Sequence, residues 1–256
     1  MSLAPSDLWR VLGSAARIWA RSDLLEVNDE WWRAFSGQRN VNYNVACCHS
    51  PLAEVLTEHC LEPALALKKP AIVMLAGPGL AAAQKLADSG WIVVGALPLM
   101  TVNKPVLTEQ ETTGARPLSV AELPFARQLL CESYGLDDPT AAAAIPDTAV
   151  DSSDMSIWGF FADGRLVSSV TTVLQDGLVV IWSMATRSEC QGRGYGRKLL
   201  EAVFRQQFTG GDGNDGASGS LLHSSVAGEK LYRQLGFTVV EYLQLWSRPR
   251  WVLGAS

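Results

Sequence analysis

Apolar residues recur at Leu8, Val11, Leu12, Ala15, Ile18 and Trp19, the spacing of a helix that buries one face, and predict an amphipathic helix over 5–22. Its polar side mixes Asp7, Arg10 and Arg17, which fits a core-facing helix better than one lying on an anionic membrane. Asp29-Glu30-Trp31-Trp32-Arg33 is expected to continue helically, with the tryptophan pair packing and not binding a ligand. From Val41 the pattern alternates. Val41–Cys48 reads as a strand, Pro51–Leu67 as a helix with proline in its first turn, and Ala71–Ala76 as a buried strand stopped by Gly77-Pro78-Gly79. Leu80–Ser89 reads as a helix capped by Gly90, and Trp91–Met100 as a further strand.

Residues 101–115 are polar, contain Pro105 and Thr112-Thr113-Gly114, and read as a linker. Ala115–Leu118 opens a second run of elements as a strand. Ser119 and Glu122 have capping-box spacing for a helix ending near Tyr134, with Gly135 as its stop. Residues 137–154 are mixed. Met155–Phe161 and Arg165–Leu174 predict a hairpin turning at Asp163-Gly164, and Asp176-Gly177 turns into the apolar strand Leu178–Met184. Leu199, Leu200, Val203, Phe204 and Phe208 then form one helical face. The glycine-rich stretch Thr209–Ser220 reads as a mobile loop, Ser220–His223 as a short strand, and Ser225–Leu235 as a helix ending in Gly236-Phe237.

Between the apolar strand and its helix stands Gln191-Gly192-Arg193-Gly194-Tyr195-Gly196, followed by Arg197 and Lys198. Alternate glycines permit a tight turn and a close approach of backbone N–H groups to a ligand. The start of the following helix adds unpaired N–H groups and the positive end of its dipole. That is a place for an anion, most naturally phosphate, with Arg193, Arg197 and Lys198 adding charge. The spacing excludes the phosphate loop of nucleotide hydrolases, which needs Gly-x-x-x-x-Gly-Lys-Ser/Thr. It also disfavours the dinucleotide fingerprint Gly-x-Gly-x-x-Gly.

The Gln-x-x-Gly-x-Gly order resembles the pyrophosphate-binding signature of the GNAT superfamily of N-acetyltransferases. Ser225-Val226-Ala227-Gly228-Glu229-Lys230-Leu231-Tyr232-Arg233-Gln234-Leu235-Gly236-Phe237 is similar to that family's Asn-x-x-Ala-x-x-Leu-Tyr-x-x-x-Gly-Phe helix, in the family order and at about its distance. The resemblance implies a mixed, mostly antiparallel α/β (α+β) sheet flanked by helices, over residues 107–256. It implies acetyl-CoA as co-substrate. Backbone groups of Met184, Ala185 and Thr186 would pair with the pantetheine arm, and amides of Gln191, Gly192, Arg193, Gly194, Tyr195, Gly196, Arg197 and Lys198 would hold the pyrophosphate. Tyr232 would protonate the departing thiolate, and Ser225 would touch the arm from the other side. Three departures stand out. Ser225 replaces the usual Asn, Ser188 replaces the usual Pro before the turn, and the central strand carries no carboxylate base. His223 is the nearest titratable candidate for that base, with a water relay from Glu132 or another carboxylate as the alternative.

Residues 1–106 repeat the order of the second half. Ala82–Ser89, Gly90 and Trp91 set beside Gly228–Leu235, Gly236 and Phe237 put a helix, a Gly-aromatic pair and a long strand in the same order, 146 positions apart. The first half reads as a degenerate GNAT-like domain in tandem with a working one. Cys48-His49-Ser50-Pro51 stands where the glycine turn would be, and Leu86 where the second half has Tyr232. Its expected role is to complete the fold, cover a sheet edge or wall the acceptor site. Cys47, Cys48, His49, His59 and Cys60 match no standard metal spacing, so no metal is expected and buried thiols are.

Net charge −5 argues against a general nucleic-acid binder. The apolar runs are too short to span a bilayer, no signal peptide is evident, and five cysteines in no framework suggest a reducing cytoplasm. The expected activity is acetyl-CoA-dependent N-acetyl transfer to a primary amine of a small molecule, amino acid or peptide, by direct attack in a ternary complex. Two readings stand beside it: an acyl-CoA sensor without turnover, and an acyltransferase with a longer acyl donor, as in two-halved enzymes of the glycine-conjugating type. The sequence carries no signal for the acceptor's identity or for oligomeric state.

Overall fold

The computed structural model describes residues 5–108, 112–208 and 216–252. The chain divides into two compact units, Met1–Leu99 with Val239–Ser256, and Met100–Thr238. Among the described residues no helix is long and apolar enough to cross a membrane.

The first unit opens with helix α1 (Pro5–Ala15), then a 3-10 turn at Ala16–Ile18. Every member of the stripe from Leu8 to Trp19 is buried, as its spacing predicts. Strands β1 (Leu25–Val27), β2 (Trp31–Phe35) and β3 (Asn44–Cys48) pair antiparallel in sequence. Trp31–Arg33 is therefore strand and not the expected helix. The Asn28 side chain accepts from the amides of Glu30 and Trp31 at 2.9 and 3.0 Å, closing an Asx turn that sends the chain back along β1. The tryptophans are buried as expected, and Trp32 lies so close to α1 that a Cβ at Gly13 would stand 2.4 Å from its ring. Val41–Tyr43 is a 3-10 turn, so β3 begins later than the pattern suggests.

Helix α2 (Ala53–Leu56) runs through a π-turn at Thr57–Leu61 into α3 (Glu62–Ala66), and crosses to β4 (Ile72–Leu75), which is parallel to β3. A 3-10 segment (Gly77–Ala82) leads into α4 (Ala83–Asp88) and then β5 (Ile92–Val102). The strand order of this unit is β1-β2-β3-β4-β11-β5, where β11 (Thr238–Ser247) is the last strand of the chain and pairs antiparallel with β4. The short helix α9 (Pro249–Val252) follows it. Leu56, Leu75, Leu86 and Trp91 centre the core, with Cys48 and Cys60 among them, and Cys47 is also fully buried.

The second unit contains β6 (Ala115–Pro117), α5 (Leu123–Tyr134), α6 (Asp138–Ala144), β7 (Met155–Ala162), β8 (Arg165–Gln175), β9 (Leu178–Thr186), α7 (Tyr195–Phe208), β10 (Gly219–His223) and α8 (Val226–Gln234). Its strands lie in the order β10-β9-β8-β7-β6, antiparallel except for β9 and β10. This is the mixed, mostly antiparallel sheet flanked by helices that the sequence implies. The capping box forms, with the Ser119 amide donating to Glu122 at 3.0 Å, and α5 stops at Gly135 in the left-handed region. Asp163-Gly164 and Asp176-Gly177 turn the hairpins with both φ angles positive, as type I′ geometry requires. The run Leu166–Val173 is buried throughout, which needs cover on both faces, and α5 and α7 supply it.

Of the expected linker, residues 101 and 102 complete β5 and residues 109–111 lie outside the described residues. The expected loop at 209–220 falls partly outside them too, at 209–215, while Gly219 and Ser220 are strand.

Candidate functional site

Strand β9 ends in an irregularity that its sequence does not announce. The pairing of β8 with β9 shifts between Thr171↔Trp182 and Ser169↔Ala185, so three steps along β9 face two along β8. The extra residue is a bulge, and Ser183 takes φ +50° within it. On the other side, β10 pairs with β9 only at Leu178, Val179 and Val180. From Ile181 onward β9 continues to Thr186 without a described β10 partner. Met184, Ala185 and Thr186, the residues expected to meet the arm, lie in this stretch.

The far end of β9 is held firmly. Ser168 Oγ donates to the Ala185 carbonyl at 2.8 Å and lies 2.8 Å from Thr186 Oγ1. Arg187 is 6% exposed, donates from Nε to the Leu166 carbonyl at 2.8 Å, and is paired with Glu132. Glu132, a candidate for a water relay, is thus bound to a structural arginine. Gln191 reaches back, donating from Nε2 to the Thr186 carbonyl at 3.1 Å, which pins the glycine turn to the strand.

Gly192 and Gly194 take φ +73° and +82°, and a Cβ at either would meet nothing within 4 Å. Left-handed backbone with open space above it is what a ligand-cradling turn needs. The first helical bond of α7 runs from the Lys198 amide to the Gly194 carbonyl at 3.0 Å. The amides of Tyr195, Gly196 and Arg197 therefore precede the helical ladder and face outward from its positive end. The Tyr195 ring packs on Phe160, with centroids 5.3 Å apart. Gly196 serves a different purpose: a Cβ there would stand 2.9 Å from Met184 Cε, 3.3 Å from Thr186 Oγ1 and 3.6 Å from Leu231 Cδ2. At that one backbone point α7, the end of β9 and α8 converge.

The charges near the turn are unequal. Arg193 is exposed and Lys198 half-buried. Arg197 donates to Glu201 at 2.8 Å, and Glu201, 1% exposed, also accepts from Thr108 at 2.7 Å and lies 3.6 Å from Arg205. Sequence reasoning passed over Glu201. Its four-residue spacing from both Arg197 and Arg205 was the available signal.

Ser225 is the N-cap of α8 and accepts from the Gly228 amide at 3.2 Å. Tyr232 is 6% exposed, with Phe237 5.6 Å away, centroid to centroid. Burial, and to a lesser extent Tyr134, raise its phenol above its ordinary value and keep it protonated. His223 is half-buried against Trp182 at 5.2 Å, and burial pushes its imidazole down to about 4. It is neutral at pH 7 and able to accept a proton, though weakly basic.

In the sequence Tyr134 marks only the end of a helix. Its hydroxyl donates to the carbonyl of Met184, beyond the last residue of β9 paired with β10. The available signal was its place beside the Gly135 stop; its partner lies 50 residues away.

Residues 153–239 match the model of the acetyltransferase (GNAT) domain. No curated protein matches the chain. Among solved structures it is similar to a GCN5-related N-acetyltransferase from Kribbella flavida, at 20% identity, covering 95% of each chain with a TM-score of 0.67. It is also similar to a putative GNAT-family acetyltransferase from Novosphingobium aromaticivorans, at 16% identity over 94% of this chain and 96% of that one, with a TM-score of 0.55. A GNAT-family acetyltransferase from Colwellia psychrerythraea follows at 13% identity, 96% and 98% coverage, and a TM-score of 0.55. At these identities the likeness establishes the fold, and it runs nearly the full length of both units. With the family match lying across β9, the glycine turn and α8, the chain carries over residues 153–239 an acetyltransferase domain of the GNAT family.

Proposed function

We propose that the protein is an acetyl-CoA-dependent N-acetyltransferase acting on a primary amine of a small molecule, amino acid or peptide. The observation that carries the reading is the open edge of β9 at Met184–Thr186 leading directly into the left-handed glycines of the 191–196 turn. An extended arm can pair with such an edge, and a pyrophosphate can sit on the turn and the start of α7.

Bound acetyl-CoA supplies an acetyl thioester. Backbone groups of Met184, Ala185 and Thr186 pair with the arm, and amides from Gln191 to Lys198 hold the pyrophosphate. Backbone N–H groups at the bulge can polarise the thioester carbonyl. The acceptor amine attacks that carbon, the C–S bond breaks, and Tyr232 gives its proton to the departing sulfur. Burial raises this phenol above its ordinary value, so it is protonated at pH 7 and a weaker acid than a free tyrosine. His223, or water, takes the proton lost by the amine. Ser225 Oγ accepts from the Gly228 amide as the cap of α8, which leaves its O–H to donate to the arm.

The first half is proposed as a degenerate copy that binds no cofactor. The same antiparallel, antiparallel, parallel succession appears in β1-β2-β3-β4 and in β7-β8-β9-β10. The difference is at the strand ends. β3 and β4 stay paired through Cys48↔Leu75, and the Ala76 amide donates to the Cys48 carbonyl at 3.1 Å. Gly79 lies so close that a Cβ would stand 2.2 Å from that carbonyl. No edge is left for an arm, and Leu86 is fully buried where Tyr232 stands in the copy.

The test is a thermal-shift titration with acetyl-CoA, CoA and longer acyl-CoAs, followed by an amine screen with Tyr232→Phe as control. A ligand at about 100 times its Kd stabilises by about 2.7 kcal/mol. Tyr232→Phe should bind acetyl-CoA like the wild type and lose about 10²- to 10⁴-fold in kcat. Absence of any shift would refute the cofactor assignment; a shift without product from any amine would favour an acyl-CoA sensor.

A further inference from the structure

Tyr134 closes α5, is 48% exposed, and is followed by Gly135 in the left-handed region, which turns the chain away. Its hydroxyl donates to Met184 O. Met184 follows Ser183, whose φ of +50° marks the bulge, and lies beyond Val180, the last residue of β9 paired with β10. The phenol therefore supplies a donor where a neighbouring strand would have supplied one. Strand edges with an open carbonyl recruit the N–H groups of extended ligands, because each such bond replaces a missing ladder bond. Here the donor is a side chain on a helix end, so breaking its bond to Met184 O breaks no ladder bond of the sheet. An amide N–H arriving at this carbonyl meets an acceptor that the hydroxyl already engages. A carbonyl oxygen has two lone pairs, so tighter binding once the hydroxyl is removed is what separates displacement from sharing.

We propose that Tyr134 is a latch on the cofactor edge: its hydroxyl sits on the Met184 carbonyl when the edge is empty, and the amide of a pantetheine arm displaces it on binding. The inference rests on the acyl-CoA reading above and adds a residue that this reading does not use. A latch competes with the ligand, so removing the hydroxyl strengthens binding; a residue that merely supports the bulge would weaken binding when removed. The two roles have opposite signs.

The experiment is calorimetric titration of CoA and of acetyl-CoA into the full-length wild type, Tyr134→Phe and Tyr134→Ala, with thermal midpoints to confirm folding. One neutral hydrogen bond no longer competing should make Tyr134→Phe bind about threefold to tenfold tighter. Tyr134→Ala, if folded, should bind at least as tightly as the wild type; Tyr134→Phe decides the matter if it is not. Equal or weaker binding by Tyr134→Phe, with the wild type binding normally, overturns the latch and leaves the acetyltransferase reading in place. No binding by any of the three overturns both.

Discussion

Replacing Gly194 by Asn or by Asp separates backbone from charge. Both side chains have the same shape, and both residue types tolerate left-handed backbone better than others. The residue takes φ +82°, and a Cβ there meets nothing within 4 Å, so neither side chain collides with the protein. Each variant should lose about 1 kcal/mol of stability from the conformational change, a fall of about 2–4 °C in Tm, and the two losses should match. Their affinities for CoA should not match. A carboxylate about 5 Å from a phosphate charge is repelled by about 1 kcal/mol in water and about 3 kcal/mol at the effective dielectric of a protein surface. Calorimetric titration at low ionic strength should therefore find the Asp variant about 5- to 150-fold weaker than the Asn variant. Raising the salt to about 0.5 M should narrow that ratio, since the screening length shrinks below the separation. A ratio near one at low salt would refute the placement of a phosphate on this turn, whatever either variant does relative to wild type.

Glu201→Gln removes the buried charge that accepts from Arg197 and Thr108 and lies 3.6 Å from Arg205. With both arginines partly solvated, the cost should be about 1–3 kcal/mol, read as a lower urea midpoint; an unchanged midpoint would count against the charge as the tie between these groups. Burial lowers the His223 pKa to about 4, so the folded state favours the neutral ring. The stability this contributes is complete above the unfolded value of about 6.5 and is lost as pH falls from there through 4. Thermal midpoints between pH 8 and 4 should drop less steeply in His223→Gln than in the wild type; identical slopes would refute the lowered pKa of this ring. His49 is shifted the same way by burial and Glu241 is shifted upward, so the difference between the two proteins is the quantity to read.

Short-range chemistry was legible in the chain. The Asp163-Gly164 and Asp176-Gly177 turns, the Ser119–Glu122 box and the Gly135 stop each depend on residues within a few positions, and each formed as read. The stripe on α1 and the buried face of α7 depend only on helical period. The glycine turn was visible because left-handed backbone and close approach leave few alternatives to glycine. Even locally one signal was missed. Asn28 caps a turn through its own side chain, and that decided strand over helix for Trp31–Arg33.

What only the tertiary structure decided has one physical origin: strand pairing and side-chain contacts over long sequence distances are not encoded in any spacing. Whether a parallel pair closes at its end, as β3 and β4 do, or opens, as β9 and β10 do, depends on which residue reaches the last carbonyl. Glu201 meets Thr108 from 93 positions away, and Tyr134 meets Met184 from 50. The last strand joins the unit built from the first 99 residues because β4 offers it a partner, not because of anything in its own pattern. The sequence by itself determined most of the elements, the family resemblance and the left-handed glycine turn; the tertiary structure decided where β9 loses its β10 partner, and which side chain meets Met184 there.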